Sequence, residues 1–365
     1  MSTSGQTTRP GIQQFGGRSK PVRVLVVDDS AVVRQVLSRD LISTGEIEVV
    51  GAAPDPYVAR DMIIALRPQV LTLDLEMPRM DGLTFIRKLM HFHPIPTIVL
   101  SSLTGHGTEM AIEAMSAGAV DVMGKPGSAF TVGDLVPQLI QKILAAAGTR
   151  VQRLVAPTGV SATCPLSTTT DKLIAIGAST GGVQALTTIL STMPPTAPGI
   201  LIVQHMPARF TTGFAKRLDQ ICAMTVTEAV GGEEVTSGRV LVAPGGKHMV
   251  LRRSGARYHT EIIDGPEVHH QKPAVDVLFE SVARSAGRNA VGAVLTGMGS
   301  DGAKGLLAMR TAGARTLAQD EATSVVFGMP AEAIHCNAAE AVVALPQVTE
   351  TLIAMANRSS VRKAG

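Results

Sequence analysis

The chain predicts two α/β domains in series, each built on a parallel sheet with helices on both faces. Three observations carry this. Between residues 22 and 147, short β-branched runs alternate with longer helical periods; from 148 to 171 the sequence turns to Thr, Ser, Pro, Ala and Gly; from 172 to 356 the alternation resumes. Repeated strand and helix signals of this kind predict βαβ units, and the aperiodic middle predicts a solvated linker. In the first domain the strands are expected at 24–27, 48–53, 70–73, 97–100 and 119–123, a five-stranded parallel sheet. The linker, treated as a flexible coil, spans about 25 to 30 Å and lets two domains dock or separate. The second domain is expected to be doubly wound, with strands at 173–177, 199–203, 240–243 and 291–296. An antiparallel hairpin at 249–253 and 258–263 turns around Ser254-Gly255-Ala256. Residues 1–21 are expected to be disordered and 357–365 to form a tail.

Composition narrows the function. At 365 residues with 45% hydrophobic and 17% charged residues, the chain has material for two cores and no case for global disorder. Lys and Arg number 33 against 30 acids, and a net +3 without a basic stripe argues against nucleic acid as partner. Cys164, Cys222 and Cys336 are widely separated, so they predict ordinary thiols rather than a disulfide framework or a zinc site. The first twenty residues lack the apolar core of a secretion signal, and no apolar run is long enough to span a bilayer. A cytoplasmic protein without membrane insertion is expected.

Asp28, Asp29 and Asp74 all fall at the carboxyl ends of expected parallel strands, where ligands gather in open α/β sheets. Three converging carboxylates repel one another unless a hard divalent cation such as Mg²⁺ is bound. The same cation would neutralise an incoming phosphoryl group and make Asp74 a plausible acceptor. Lys125, after the fifth strand, can pair with phosphoryl oxygens, and Ser101, after the fourth, can donate a hydroxyl hydrogen bond.

Asp28-Asp29, the run Asp74-Leu75-Glu76-Met77-Pro78-Arg79-Met80-Asp81-Gly82, Ser101 and Lys125-Pro126 resemble the receiver domain of two-component response regulators, a flavodoxin-like fold. The resemblance covers residues 22–147. It implies that Asp74 takes a phosphoryl group from a histidine kinase and that Asp28, Asp29, Asp74 and the Glu76 carbonyl hold Mg²⁺. Ser101 and Lys125 would then report occupancy. One departure stands out: the position three before the lysine, often aromatic in receivers, is Val122.

In the second domain, Gly177-Ala178-Ser179-Thr180-Gly181-Gly182 ends an apolar strand and precedes a helical pattern. A serine on a glycine-flanked strand-to-helix turn is exposed above a parallel sheet. The turn lacks the G-x-G-x-x-G spacing of a dinucleotide site and the lysine of a P-loop, and the next strand has no acidic ribose ligand. His205 ends that next strand, and Asp301 lies in the glycine-rich run after another. A serine hydroxyl needs a base, and the base needs an anion to fix its tautomer; Ser179, His205 and Asp301 supply these roles. The glycines around Met298 would let backbone N–H groups approach a substrate oxygen. His91, His93 and His106 read as solvated; His248, His269 and His270 could line a cleft, although a structural role is the plainer expectation.

The runs Ile176 to Gly182, Gln204-His205-Met206-Pro207, Ala243 to His248 and Thr296 to Ala303 resemble the CheB family, chemotaxis protein-glutamate methylesterases and glutamine deamidases. With the receiver in front, the resemblance extends from residue 22 to about 356. It implies a phosphorylation-activated serine hydrolase acting on the cytoplasmic helices of methyl-accepting chemoreceptors, with the triad Ser179, His205 and Asp301. Thr180 would lie nearby, with the Met298 amide in the oxyanion hole. No cofactor is expected for hydrolysis, and a monomer is expected. The chain order Ser, His, Asp differs from the Ser, Asp, His order of α/β-hydrolases. A DNA-binding response regulator is disfavoured by the size of the second domain and the absence of a basic recognition helix, and a non-catalytic adaptor by the intact triad.

Overall fold

The computed structural model describes residues 20–125, 135–149 and 172–357. The expected N-terminal disorder, most of the linker and all but the first residue of the C-terminal tail lie outside these residues. The first unit runs β1 (Val22–Val27), α1 (Ala31–Leu41), β2 (Ile47–Ala53), α2 (Pro56–Leu66), β3 (Val70–Asp74), α3 (Gly82–Phe92), β4 (Thr97–Ser101), α4 (Gly105–Ser116), β5 (Asp121–Gly124) and α5 (Val136–Ala146). Its strands form one parallel sheet in the order β2-β1-β3-β4-β5. Ser30, Asp55, Asp81 and Thr104 start α1 to α4, each side chain accepting a first-turn N–H.

The second unit runs β6 (Leu173–Ala178), α6 (Gly182–Ser191), β7 (Gly199–Gln204), α7 (Phe210–Ile221), β8 (Thr225–Glu228), β9 (Arg239–Val242), β10 (His248–Ser254) and β11 (Arg257–Ile263). It continues through α8 (Val275–Ser285), β12 (Ala290–Val294), α9 (Ala303–Thr311), β13 (Arg315–Gln319), α10 (Met329–His335), β14 (Ala341–Val343) and α11 (Leu345–Asn357). Seven strands make a parallel sheet, β14-β13-β12-β6-β7-β9-β8, and β10 and β11 pair separately as an antiparallel hairpin. Successive β6 residues serve opposite faces. Leu173 and Ala175 join the core of α8 and α9 around Phe279 and Leu306, whereas Ile174 and Ile176 join that of α6, α7 and α11 around Leu186, Phe214 and Leu352. Burial on both faces is why such strands read as unbroken apolar runs, each large side chain contributing about 1.5–3 kcal/mol.

The two units share a core. Ala111, Ile112 and Met115 of α4 belong to the same buried apolar cluster as Phe214 and Leu218 of α7. Among the described residues, no helix is long and apolar enough to cross a membrane.

The expected strands are all present, with shifted ends. β5 begins at Asp121 rather than 119, because Ala119 N–H closes the end of α4 onto Ala114 O. β12 ends at Val294, so Asp301 does not directly follow the strand as the sequence suggested. Strands β8, β13 and β14 were not anticipated. β8 and β14 are short edges, and β13 carries Thr316 and Gln319, polar residues buried by specific bonds such as Thr316 Oγ1 to Ala338 O at 2.7 Å.

Candidate active site and switch pocket

In the seven-stranded sheet the chain turns back at β6, which has β7 on one side and β12 on the other. The crevice beyond the carboxyl ends of such strands is where open α/β sheets bind ligands. Ser179 follows β6 and His205 follows β7, in register because Ala178 pairs with Gln204. Asp301 reaches the same place from the loop between β12 and α9. Its Oδ2 lies 2.8 Å from His205 Nε2, and both residues are buried.

The first N–H groups of α8 fix Asp301 from behind: Val275 N–H donates to Oδ2 at 2.7 Å and Asp276 N–H to Oδ1 at 2.9 Å. Burial alone would raise the Asp301 carboxyl, but the His205 hydrogen bond and charge and these two amides bring it below the usual carboxylate value. With Nε2 committed to Asp301, His205 Nδ1 is the nitrogen left to act as base. Nδ1 is buried without a hydrogen-bond partner, and Ser179 Oγ has none among the described residues. The bond between nucleophile and base is therefore not made in this state, as is common before substrate enters.

The nucleophile turn is tightly braced. Ser179 N–H donates to Thr296 O at 3.0 Å, and the Ser179 carbonyl accepts from Gly182 N–H at 2.7 Å and from Gln204 Nε2 at 2.8 Å. Thr296 Oγ1 holds the Thr180 carbonyl at 2.9 Å. Gly297 permits this approach, since a Cβ there would stand 2.7 Å from Ser179 Cβ and 2.3 Å from Met329 Sδ. With Ser179 N–H engaged, the candidate oxyanion donor is the amide of Met298, which lines the cleft and has no partner among the described residues. Gln204 and Thr296 were missed from sequence; both are buried polar residues, one ending β7 and one two residues past β12, a signal that could have found them.

Ser179, Thr180, His205 and Met298 line a cleft of about 320 Å³ whose opposite wall comes from the first unit, through Val122 of β5 and Lys142 of α5. Thr180 Oγ1 donates to Asp121 Oδ2, and Gly181 N–H donates to Val120 O at 3.0 Å. Lys142 Nζ lies 2.6 Å from the same Asp121 oxygen. Further along α6, Gln184 Nε2 donates to Met115 O at 2.9 Å and to Ala119 O, and Arg209 reaches Leu103 O at 2.8 Å. Asp121, Lys142, Gln184 and Arg209 were not singled out from sequence, because their meaning lies in contacts between units. Of the histidines expected near the cleft, His270 lines it. His248 is structural, with Nε2 3.0 Å from Pro266 O and Nδ1 accepting from Ala274 N–H at 3.2 Å.

In the first unit, Asp28, Asp29 and Asp74 bring carboxylate oxygens within 4.8 Å of one another. Lys125 Nζ bridges Asp28 at 2.9 Å and Asp74 at 2.7 Å. Burial raises the Asp74 carboxyl, with the Lys125 charge and hydrogen bond acting against it. The converging oxygens suit a hard divalent cation. Glu76 N–H donates to Asp74 Oδ1 at 3.1 Å, while its carboxylate accepts from Ser102 Oγ at 2.7 Å. Ser101 is buried and its hydroxyl donates to Gly107 O at 2.8 Å, turned to α4 rather than to Asp74.

Residues 24–136 match the response regulator receiver domain and residues 174–352 the CheB methylesterase domain. A protein-glutamate methylesterase/protein-glutamine glutaminase of Syntrophus aciditrophicus is 54% identical over 92% of this chain and 99% of its own length. The chain belongs to the CheB methylesterase family. Another member, from Salmonella typhimurium, is 50% identical over 91% of this chain and 96% of its own. The crystallised CheB methylesterase catalytic domain of Thermotoga maritima is 37% identical, covering 50% of this chain and 98% of that one with a TM-score of 0.49. Family membership accounts for both halves, a receiver and a hydrolase, and disposes of the DNA-binding alternative.

Proposed function

We propose that this chain demethylates glutamyl methyl esters on chemoreceptor helices, that Ser179, His205 and Asp301 carry the reaction, and that phosphorylation of Asp74 releases it. The observation that supports the chemistry best is the buried His205–Asp301 pair with Nδ1 left unpartnered beside the carboxyl end of β6, where Ser179 is itself buried rather than exposed as its turn suggested. Ser179 Oγ attacks the ester carbonyl while His205 takes its proton, and the oxyanion is met by the Met298 amide. Methanol leaves with a proton returned by His205. Water, activated by the same imidazole, then hydrolyses the acyl-enzyme to glutamate and frees Ser179. Methanol release from methylated receptor helices, with and without a phosphodonor, tests the reading.

Receptor glutamine should be a slower substrate of the same site. Ammonia is a poorer leaving group than methanol and must be protonated as it departs, so deamidation leans harder on His205 as general acid. His205→Ala should abolish glutamine conversion, followed as a mass increase of the peptide; conversion indifferent to that change would contradict a shared site.

For the switch, Asp28, Asp29, Asp74 and the Glu76 carbonyl would hold Mg²⁺, which neutralises charge as a histidine kinase or small phosphodonor approaches. Asp74 takes the phosphoryl group, Lys125 pairs with its oxygens, and Ser101 exchanges Gly107 for the phosphoryl group. Ser101 ends β4 just before the loop that carries Leu103, whose carbonyl holds Arg209, so this exchange would act directly on the docked face. A tenfold activation needs only about 1.4 kcal/mol between docked and open forms. Removing residues 1–165 should raise basal activity by tenfold or more, and Asp74→Asn should stay slow with phosphodonor present. A truncated enzyme no faster than the unphosphorylated whole would mean that activation improves the catalytic unit instead of uncovering it.

A further inference from the structure

The group placed against the residue after the nucleophile is a carboxylate. Asp121 is 5% exposed and Thr180 2%, and Asp121 Oδ2 accepts the Thr180 hydroxyl while Lys142 balances the charge at 2.6 Å. One residue earlier, the Val120 carbonyl takes the Gly181 N–H at the amino end of α6, where Gly181 adopts φ +80°. An acyl oxygen and a carboxylate are thus offered together to the catalytic turn, beside the unpartnered His205 Nδ1. Bulk occlusion requires no such chemistry. The Asp121 side chain is one methylene shorter than the glutamate that the proposed reaction yields, and the amino end of a helix favours an anion.

We infer that Asp121 closes the enzyme as an internal mimic of the product, and that Thr180 Oγ1 is the subsite for the glutamyl carboxyl group in the open enzyme. The inference rests on the methylesterase reading. Receiver docking and product binding are then mutually exclusive, so unmethylated receptor helix and the docked receiver compete for one hydroxyl.

The test uses the full chain. Unphosphorylated Asp121→Asn should release methanol about tenfold faster than unphosphorylated wild type, as exchanging a charged acceptor for a neutral one that no longer pairs with Lys142 predicts, and phosphorylated rates should agree within about twofold. Calorimetry then needs no turnover. A receptor helix carrying glutamate at its modification sites should bind Asp121→Asn about tenfold more tightly than unphosphorylated wild type, and adding Thr180→Val should remove that gain. The same helix with alanine at those sites should not distinguish Asp121→Asn from the double variant. Unchanged turnover and unchanged glutamate-helix affinity in Asp121→Asn would overturn the lock. An opened enzyme whose glutamate-helix affinity ignores Thr180→Val would make Asp121 a wedge and overturn the mimicry. Failure of phosphorylated wild type to release methanol would instead sink the methylesterase reading, with the binding measurement still standing apart.

Discussion

Ser179→Ala should reduce methanol release by a factor on the order of 10⁶, the scale seen when a serine nucleophile is removed from a cooperating triad. The fold should not register the change. The turn is held through its backbone, by Ser179 N–H on Thr296 O and by Gln204 and Gly182 on the Ser179 carbonyl, whereas Oγ has no hydrogen-bond partner among the described residues. Stability should therefore stay within about 0.5 kcal/mol of wild type. Rate and thermal midpoint measured on the same preparation separate the two effects: a fully folded variant that still turns over methyl ester would end the serine mechanism.

How much of this was legible in the sequence follows from where each residue sits. Asp28, Asp74, Ser101, Ser179 and His205 stand at or just beyond the ends of apolar runs, and parallel strands buried on both faces make those runs conspicuous. Asp301 was less exposed to this logic, since β12 ends at Val294 and a glycine-rich loop carries the carboxylate back. The strand pattern puts Asp301 directly after the strand at the shared sheet edge, and the intervening loop is what that pattern does not show. The contacts that close the cleft were invisible. Asp121 is one acid in an apolar strand and Lys142 one lysine on an amphipathic helix, and nothing local says that they meet Thr180. Gln184 finds acceptors 65 and 69 residues away, a relation that only the docking of two units creates. β13 escaped notice for a related reason: Gln319 looks like a surface residue until its Oε1 is seen taking Thr296 N–H at 2.9 Å in the interior.

Asp301→Asn should lower turnover by about 10⁴ while leaving Ser179 and His205 in place. The native carboxylate accepts from His205 Nε2, Val275 N–H and Asp276 N–H, all within 2.9 Å. An asparagine has one acceptor oxygen and an NH₂ for the same three donors. If its oxygen takes the Oδ1 position it keeps Asp276 N–H, and the NH₂ opposes Val275 N–H and faces His205 Nε2, which must become an acceptor. The ring proton then moves to Nδ1, the nitrogen needed to receive the serine proton, and the base is lost. If the oxygen takes the Oδ2 position instead, it keeps His205 and Val275 N–H, and the NH₂ opposes Asp276 N–H. Either route damages catalysis, the first by removing the base and the second by removing the charge that stabilises the imidazolium, and each opposes one α8 N–H and so also lowers the thermal midpoint. The acid side offers a further check. Because the folded Asp301 carboxyl titrates below its ordinary value of 3.8, its contribution to stability is present above that pH and is lost as pH falls through the lower native value. In Asp301→Asn this part of the acid destabilisation should vanish, visible as a shallower decline of the thermal midpoint below about pH 4. Near-wild-type turnover in a folded Asp301→Asn would remove Asp301 from the mechanism and leave His205 to be oriented by its other neighbours.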